Sequence, residues 1–162
     1  RHQITRRLAG LDTGHRLMNH EGKCANYHGH RYVVEVTCST EKLDPCGRVV
    51  DFGVIKACIG TWCDDHMDHG MVLQRGDPLV AFMGVPDFAA VDEFGIVCFQ
   101  SSLKLLVVDF PPTAENLSMM LFLKARELVG YASSLVRVDS LRLYETPDCW
   151  ADHPPEGTFA AA

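Results

Sequence analysis

Hydrophobic and polar positions alternate most regularly between residues 30 and 38 of the chain. Tyr32, Val34 and Val36 share one parity, and charged residues such as Glu35 fall on the other. Successive side chains of a β-strand point to opposite faces of a sheet, so this alternation predicts a half-buried strand over His30 to Cys38. Weaker patterns predict two further strands, from Gln3 to Thr13 and from Leu135 to Tyr144.

Two other segments have hydrophobic residues spaced three and four apart, as on one face of a helix. The first follows Asp51, a favourable N-cap residue, and predicts a helix over 52–66. The second is AENLSMMLFLKARELVG, which predicts a helix over 114–129 with Thr113 as its cap and Gly130 as its end. The apolar face of the first helix is predicted to contain Phe52, Ile55, Ile59, Trp62 and His66.

Residues 76–110 have no regular period, because glycines and a proline interrupt their apolar runs. We interpret this segment as an excursion inserted between the two helices, with room for a hairpin. The element order is strand, strand, helix, helix, strand, and we find no internal repeat. This order predicts a single α+β domain over residues 1–162, built on an antiparallel sheet.

Composition narrows the possible functions. The chain of 162 residues is 47% hydrophobic and 22% charged, which is typical of a globular protein, and its net charge of -6 argues against nucleic acid as a main partner. Its apolar runs are far shorter than the roughly 20 residues of a membrane span, so we expect no membrane segment. Seven cysteines without a CxxC pair favour reduced thiols and a cytoplasmic location.

The stretch GKCANYHGHRY contains the first candidate chemistry. His28 and His30 are two residues apart on a predicted strand, so both side chains leave the same face and can converge on one ion. His15, at the end of the preceding strand, offers a third nitrogen ligand. Three histidines with an open fourth position describe a catalytic zinc site. Histidines packed at the surface, without a metal, are the competing interpretation.

Cys24 allows two further interpretations. As a fourth ligand it would close the metal site and make it structural, whereas as a thiolate beside the metal it would be a base. The stretch DDHMDHG supplies Asp68 and His69, the residue types of a relay in which the carboxylate orients the imidazole and the imidazole exchanges a proton with the thiol. His66 is the rival histidine of that stretch, and its predicted place on an apolar helix face favours a core or boundary role.

Two carboxylates are candidates for ligand binding. Glu145 shares a parity with Leu141 and Leu143, so it ends a strand on the apolar face and needs a partner there. A ligand with two parallel N–H donors, such as the amidine edge of a pterin or guanine, or an arginine of the chain itself would satisfy it. Glu115 lies in the first turn of the second helix, where a carboxylate commonly complements the helix dipole.

Five motifs in order, GKCANYHGH, VVDF, DDHMDHG, PTAENL and LYET, resemble those of the 6-pyruvoyltetrahydropterin synthase and 6-carboxytetrahydropterin synthase family. The similarity spans about residues 8–150, apart from the excursion, which is longer than the compact pattern of the family. The resemblance implies the T-fold, an antiparallel sheet with two helices on one side. It also implies a barrel-forming trimer or a hexamer of two trimers, with active sites at the subunit interfaces.

Site roles follow from the same resemblance. Cys24 would be the general base, Asp68 and His69 would complete its relay, and Glu145 would anchor the pterin ring. Glu115 looks like a secondary pocket residue, and Lys23 is a candidate contact for the triphosphate of a pterin substrate. The residues that would bind Zn²⁺ are His15, His28 and His30.

The short gap between Cys24 and His28 looks like that of the 6-carboxytetrahydropterin branch, which acts in the synthesis of queuosine and other 7-deazapurines. This branch converts 7,8-dihydroneopterin triphosphate to 6-carboxytetrahydropterin, acetaldehyde and triphosphate. Three alternatives stay open: the pyruvoyl-forming reaction, a zinc-stabilised binding module without turnover, and an oligomer that uses the fold only as a scaffold.

Overall fold

A six-stranded sheet organises the chain, whose computed structural model describes residues 1–155. The spatial order of the strands is β4, β3, β1, β2, β5, β6. Four of them, β1, β2, β5 and β6, form a continuous antiparallel set. The strands are β1 His2–His15, β2 His28–Thr40, β3 Gly70–Gln74, β4 Leu105–Val108, β5 Arg137–Thr146 and β6 Cys149–His153.

Strand β2 has the alternation that the sequence predicts. Tyr32, Val34 and Val36 are buried on one face, while Arg31 and Glu35 lie on the other. Strand β1 pairs with β2 along nearly its whole length, with an irregularity between Leu8 and Leu11. The pairing ends at His15 opposite His28, so both strands deliver a histidine to the same end of the sheet.

Helices cover one face of the sheet. The first helical segment runs without a break through α1, a π-helical turn and α2, and it packs with α4 against the buried side chains of β1, β2 and β5. Asp51 caps α1 by accepting from the Gly53 N–H, and Thr113 caps α4 by accepting from the Asn116 N–H. The segments are α1 Phe52–Ile55, the π-helical turn Lys56–Gly60, α2 Thr61–His66 and α4 Ala114–Ala132; a short α3, Pro78–Phe82, precedes α4.

The π-helical turn changes the buried face of the first helical segment. Ile55 and Ile59 are buried as predicted, but Cys63 takes the next buried position and His66 is exposed. An i→i+5 turn advances the helix by more than 3.6 residues, so a face extrapolated at the ordinary period drifts. Of the predicted core or boundary role of His66, the core position is therefore wrong: the residue is exposed, and its ring stacks on Trp62 at the surface.

The sheet is mixed, because β3 and β4 extend the antiparallel set with parallel pairs. Strand β3 pairs with residues 13–15 of β1, and β4 pairs with β3. Both strands are short apolar runs, as is usual for parallel strands buried on two faces, and alternation cannot reveal such runs. Within the described part of the chain, residues 2–11 of β1 consequently have no strand partner on the side away from β2.

The predicted excursion at 76–110 begins with α3 and ends with β4. Isolated antiparallel bridges join Val91 to Val97 and Ile96 to Val108. A second hydrophobic cluster, which includes Leu73, lies beneath this segment. The interpretation of residues 1–162 as one domain with an insertion stays a prediction.

The face of the sheet opposite the helices is polar. Ion pairs join residues directly opposite one another on neighbouring strands, which is the arrangement that stabilises cross-strand pairs. The cross-strand pairs are Arg7 with Glu35, Arg31 with Asp12, and Arg142 with Asp152.

Within residues 1–155, no helix combines the length and hydrophobicity of a membrane span.

Candidate functional site

Three histidines converge where β1 ends and β2 begins. His15 and His28 are opposite in the strand register, and His30 follows two residues later on the same face. The ring centroids are 4.6 Å apart for His15 and His28, 5.1 Å for His15 and His30, and 4.9 Å for His28 and His30. One nitrogen from each ring lies within 4.8 Å of the others, so the three could hold a metal ion.

Backbone carbonyls fix the orientation of two of these rings. The Nδ1 of His15 lies 2.9 Å from the carbonyl oxygen of Pro112, and the Nδ1 of His28 lies 2.7 Å from that of Asn26. A carbonyl only accepts, so each Nδ1 carries the proton and each Nε2 presents a lone pair. Such contacts to the second ring nitrogen are the usual support of metal-binding histidines.

The Nε2 atoms of His15 and His28 are only 3.1 Å apart. With both Nδ1 atoms protonated, neutral imidazoles would direct two lone pairs at each other, which is unfavourable unless a cation lies between them. The Nε2 of His30 is buried and has no hydrogen-bond partner in the described chain. A buried nitrogen without a partner is costly, and a metal ion would satisfy all three nitrogens together.

Burial lowers the pKa of His15, and burial also lowers the pKa of His30, although the charge of Glu145 opposes both shifts. Imidazoles bind metals in the neutral form, so these shifts favour the protonation state that a metal requires. The residues present therefore fit a cation with nitrogen ligands.

Glu145 lies at the edge of this cluster. Its Oε1 is 3.6 Å from the Nε2 of His30, and its side chain is partly exposed. The predicted parity is observed in β5, because Leu141 and Leu143 are fully buried on the same face. A partly exposed carboxylate beside the histidines can accept from a bound ligand.

Cys24 lies in a single 3₁₀ turn, Lys23–Ala25, just before β2, and it is half-buried. It does not belong to the group of described side chains that could hold a metal, which leaves the cluster with three protein ligands. Cys24 therefore lies just before the strand that carries His28 and His30, and it does not close the cluster.

Two other cysteines are buried, unlike Cys24. Cys38 and Cys63 lie in the core, where burial raises the pKa of each thiol to about 12. Such thiols stay protonated at neutral pH and are poor nucleophiles or bases. None of the seven cysteines forms a disulfide.

Asp68 and His69 form a tight turn between α2 and β3. The Nδ1 of His69 lies 2.8 Å from the Oδ2 of Asp68, whose Oδ1 accepts from the backbone N–H of Asp12. His69 has a φ of 57°, a left-handed conformation that is uncommon for residues other than glycine. Its imidazole is 78% exposed, so the turn presents an oriented histidine to the surface.

Asp68 and His69, the residues predicted to relay a proton, are not bonded to Cys24 within one chain. Among residues 1–155, no hydrogen bond or ion pair connects Cys24 to Asp68 or His69. Gly70 pairs with Thr13, so His69 lies beside Asp12, about 10 Å along the sheet from His15 by the rise of a strand.

Lys23 and Glu115 are both exposed. Glu115 is in the first turn of α4, and its carbonyl accepts from Ser118. Neither side chain makes a hydrogen bond or an ion pair with the histidine cluster in the described part of the chain, so their substrate roles stay predictions.

Sequence reasoning missed the groups that hold the histidines. Tyr32 is fully buried with its hydroxyl 3.3 Å from the Nδ1 of His15, and it shares the parity of His28 and His30, so the alternation could have revealed it. The carbonyls of Pro112 and Asn26 leave no signal in a side-chain pattern.

Comparison with known proteins identifies the family. A family model described as 6-pyruvoyl tetrahydropterin synthase matches residues 3–156. The chain belongs to this family. Its curated relatives include the 6-carboxy-5,6,7,8-tetrahydropterin synthase of Rickettsia conorii, 34% identical over 153 residues, which are 93% of this chain and 98% of the relative.

Further relatives have similar names. The 6-carboxy-5,6,7,8-tetrahydropterin synthase of Rickettsia bellii is 32% identical over 152 residues, covering 93% of this chain and 98% of the relative. A probable 6-carboxy-5,6,7,8-tetrahydropterin synthase of Halobacterium salinarum is 35% identical over 138 residues, which are 85% of this chain and 77% of the relative.

Solved structures establish the fold. An uncharacterised protein of Wolinella succinogenes superposes with a TM-score of 0.74 at 23% identity, covering 93% of this chain and 96% of that one. A variant of the 6-pyruvoyltetrahydropterin synthase of Plasmodium vivax superposes with a TM-score of 0.62 at 16% identity, covering 94% of this chain and 97% of that one. The predicted T-fold is thus confirmed.

Proposed function

We propose that the chain is a zinc-dependent lyase that converts 7,8-dihydroneopterin triphosphate and one water molecule to 6-carboxy-5,6,7,8-tetrahydropterin, acetaldehyde and triphosphate. The observation that carries this proposal is the cluster of three histidines whose nitrogens lie within 4.8 Å of one another, without a fourth protein ligand among residues 1–155. The names of the curated relatives favour the carboxy-forming branch. The product would then enter the synthesis of queuosine or another 7-deazapurine.

Zn²⁺ bound by His15, His28 and His30 would act as a Lewis acid on the side-chain oxygens of the pterin substrate. The carbonyls of Pro112 and Asn26 keep the rings of His15 and His28 in the tautomer that frees Nε2. Tyr32 is fully buried and packs edge-on against the rings of His15 and His30.

Cys24 would remove a proton from the substrate side chain. Its half-buried position near the cluster suits a thiolate that must reach a ligand rather than pack in the core. Asp68 would orient His69, and His69 would exchange protons with the substrate or the thiol. Glu145 would accept from the two parallel N–H groups of the pterin ring, and Lys23 and Glu115 would lie at the pocket rim.

We propose that a homo-oligomer, a trimer or a hexamer, assembles the complete site. Two strand edges that are open among residues 1–155 support this: residues 2–11 of β1 pair only with β2, and β6 is the last described strand on the other side. Open edges readily pair with another chain. Pairing β6 of one subunit with β1 of the next would close a barrel and bring His69 of one chain toward Cys24 of another. A cytoplasmic location stays a prediction.

The direct test is to incubate the zinc-loaded full chain with 7,8-dihydroneopterin triphosphate, identify the products by mass and assay acetaldehyde separately. We expect 6-carboxytetrahydropterin together with acetaldehyde. A 6-pyruvoyl product without acetaldehyde would assign the sister reaction, which the description of the matching family model favours. Absence of turnover by a folded, zinc-loaded oligomer would support a binding module instead.

A further inference from the structure

A cluster of an arginine, a tyrosine and an aspartate lies beside the histidine site but has no part in the proposed chemistry. Arg16 directly follows His15, and Tyr27 directly precedes His28. Asp77 belongs to the excursion, where it caps the N-terminus of α3. We refer to Arg16, Tyr27 and Asp77 as the strand-end brace.

The central contact of the strand-end brace joins Tyr27 to Asp77. The Tyr27 hydroxyl donates to the Oδ1 of Asp77 at 2.6 Å, and the same oxygen accepts from the Leu79 N–H at 2.9 Å. The side chain of Asp77 has no exposed surface. A short hydrogen bond to a buried carboxylate is among the stronger and more directional contacts of a protein.

Arg16 supplies the opposite charge. Its Nη1 lies 3.6 Å from the Oδ2 of Asp77, and its guanidinium lies over the ring of Tyr27, 5.0 Å from the centroid. The Oδ2 makes no hydrogen bond in the described chain, so the charge of Arg16 is its compensation. The three side chains therefore contact each other and act as one unit.

The strand-end brace lies where β1 and β2 leave the sheet, directly beside two of the three histidines. His15 and His28 form the last register pair of β1 and β2, and residues 16–27 leave the sheet as a loop. Arg16 and Tyr27 are the first residues beyond that pair on either strand, and both are tied to one carboxylate of a different element. The end of a strand pair frays unless something holds it.

We propose that the strand-end brace positions His15 and His28 for metal binding, with Asp77 as the anchor and with Arg16 and Tyr27 as positioning residues. This gives the excursion a role: its first helix holds the entrance of the metal site. The inference rests on the proposed function in one respect, namely that the three histidines bind zinc.

The decisive variant is Tyr27→Phe, which removes the hydroxyl and keeps the ring beneath Arg16. We expect its affinity for Zn²⁺ to fall roughly 10-fold, the lower end of the range for losing a group that orients metal ligands. Competition with a chromophoric chelator on the full chain measures this without catalysis. Tyr131→Phe is the matched control, because Tyr131 is 82% exposed at the end of α4.

Asp77→Asn separates charge from hydrogen bonding, since the amide oxygen can still accept from the Leu79 N–H. We expect the same direction of change in zinc affinity. Asp92→Asn is its control, because Asp92 also accepts from two backbone N–H groups of the excursion. Should Asp77→Asn unfold, Tyr27→Phe alone decides the matter.

Two readouts distinguish positioning from general destabilisation. The double variant Tyr27→Phe/Asp77→Asn should lose no more zinc affinity than the weaker-binding single variant, because both changes weaken the same contact between Tyr27 and Asp77. The visible absorption of bound Co²⁺ should change in Tyr27→Phe and stay constant in Tyr131→Phe, since it reports ligand geometry.

Zinc affinity of Tyr27→Phe within twofold of the parent would overturn the strand-end brace and leave the proposed function intact. A folded parent chain that binds no Zn²⁺ would overturn both.

Discussion

Asp139 carries a carboxylate with a side chain only 1% exposed, at the opposite end of the sheet from the histidines. Gln3 and Arg137 donate to it at 3.1 and 2.9 Å, and Arg1 forms an ion pair with it. Burial alone would raise the pKa of Asp139, but these hydrogen bonds and charges lower it below the ordinary value of 3.8. The ionised form is therefore stabilised by folding.

Asp139→Asn should lower the free energy of unfolding at pH 7 by about 1–3 kcal/mol, because buried donors lose a charged acceptor. A lowered folded pKa contributes stability above the unfolded pKa, and this contribution is lost as pH falls through the folded pKa. The difference between parent and variant should thus narrow below about pH 4. Urea unfolding across pH measures it. The exposed Asp148→Asn is the control, and a difference independent of pH would contradict the expected linkage.

Sequence reasoning anticipated individual residues where side-chain type and strand parity agree. His15, His28, His30 and Glu145 meet because alternation fixes the face from which each side chain leaves. The Tyr27 contact to Asp77 could not be inferred, because it joins residues 50 apart through a loop and an excursion without period.

At the scale of elements, the turn after α2 depends on Lys104. Its Nζ donates to the carbonyls of Asp64 at 2.7 Å and Asp68 at 2.6 Å, so an ammonium group satisfies the C-terminal end of the helix. Cations are favourable there because they complement unpaired carbonyls and the helix dipole. The same turn holds His69 in its left-handed conformation.

Lys104→Met should lower the free energy of unfolding by about 1 kcal/mol, the usual value for a lost helix-end cation and its hydrogen bonds. It should also lower kcat, because the turn then presents His69 less precisely. Lys42→Met, at another exposed lysine, is the matched control for both measurements. Unchanged stability and unchanged kcat would show that Lys104 does not hold the turn.

Elements with a clear period were predicted within about two residues, and those without one were missed. The strand predicted over 30–38 extends over His28–Thr40, whereas β3, β4 and β6 had no signal of their own. Gly130 was predicted to end the second helix, but it keeps a negative φ and α4 continues to Ala132. A glycine ends a helix through the left-handed conformation, whereas here the Ser133 N–H still donates to the Val129 carbonyl and the helical pattern continues past Gly130.

At the scale of the whole molecule, the proposed site has two halves that no hydrogen bond or ion pair links within residues 1–155 of one chain. Cys24 lies just before the histidine end of β2, and the backbone N–H of His69 donates to the carbonyl of Asp12 in β1. If neighbouring subunits bring these halves together, two inactive variants can restore each other.

Mixing Cys24→Ala and His69→Ala chains and reassembling them should recover activity, up to about one quarter of the parent for random assembly of shared sites. Each recovered site takes Cys24 from one chain and His69 from its neighbour. Mixing Asp68→Asn with His69→Ala is the control, because both defects affect the same half and should give no recovery. Inactivity of the first mixture, with oligomers confirmed by light scattering, would contradict sites shared between subunits.

The fold as a whole was predictable from motifs in order, because they resemble one family and that resemblance carries its topology. The mixed character of the sheet and the links from the excursion to the site were not, since they depend on contacts distant in sequence.

The most direct single measurement is the zinc content and turnover of Cys24→Ala beside those of His30→Ala. If three histidines bind a catalytic zinc and Cys24 is a base, Cys24→Ala keeps its zinc and loses activity, whereas His30→Ala loses both. Loss of zinc from a folded Cys24→Ala chain would mean that the thiol is a fourth ligand and that the site is structural.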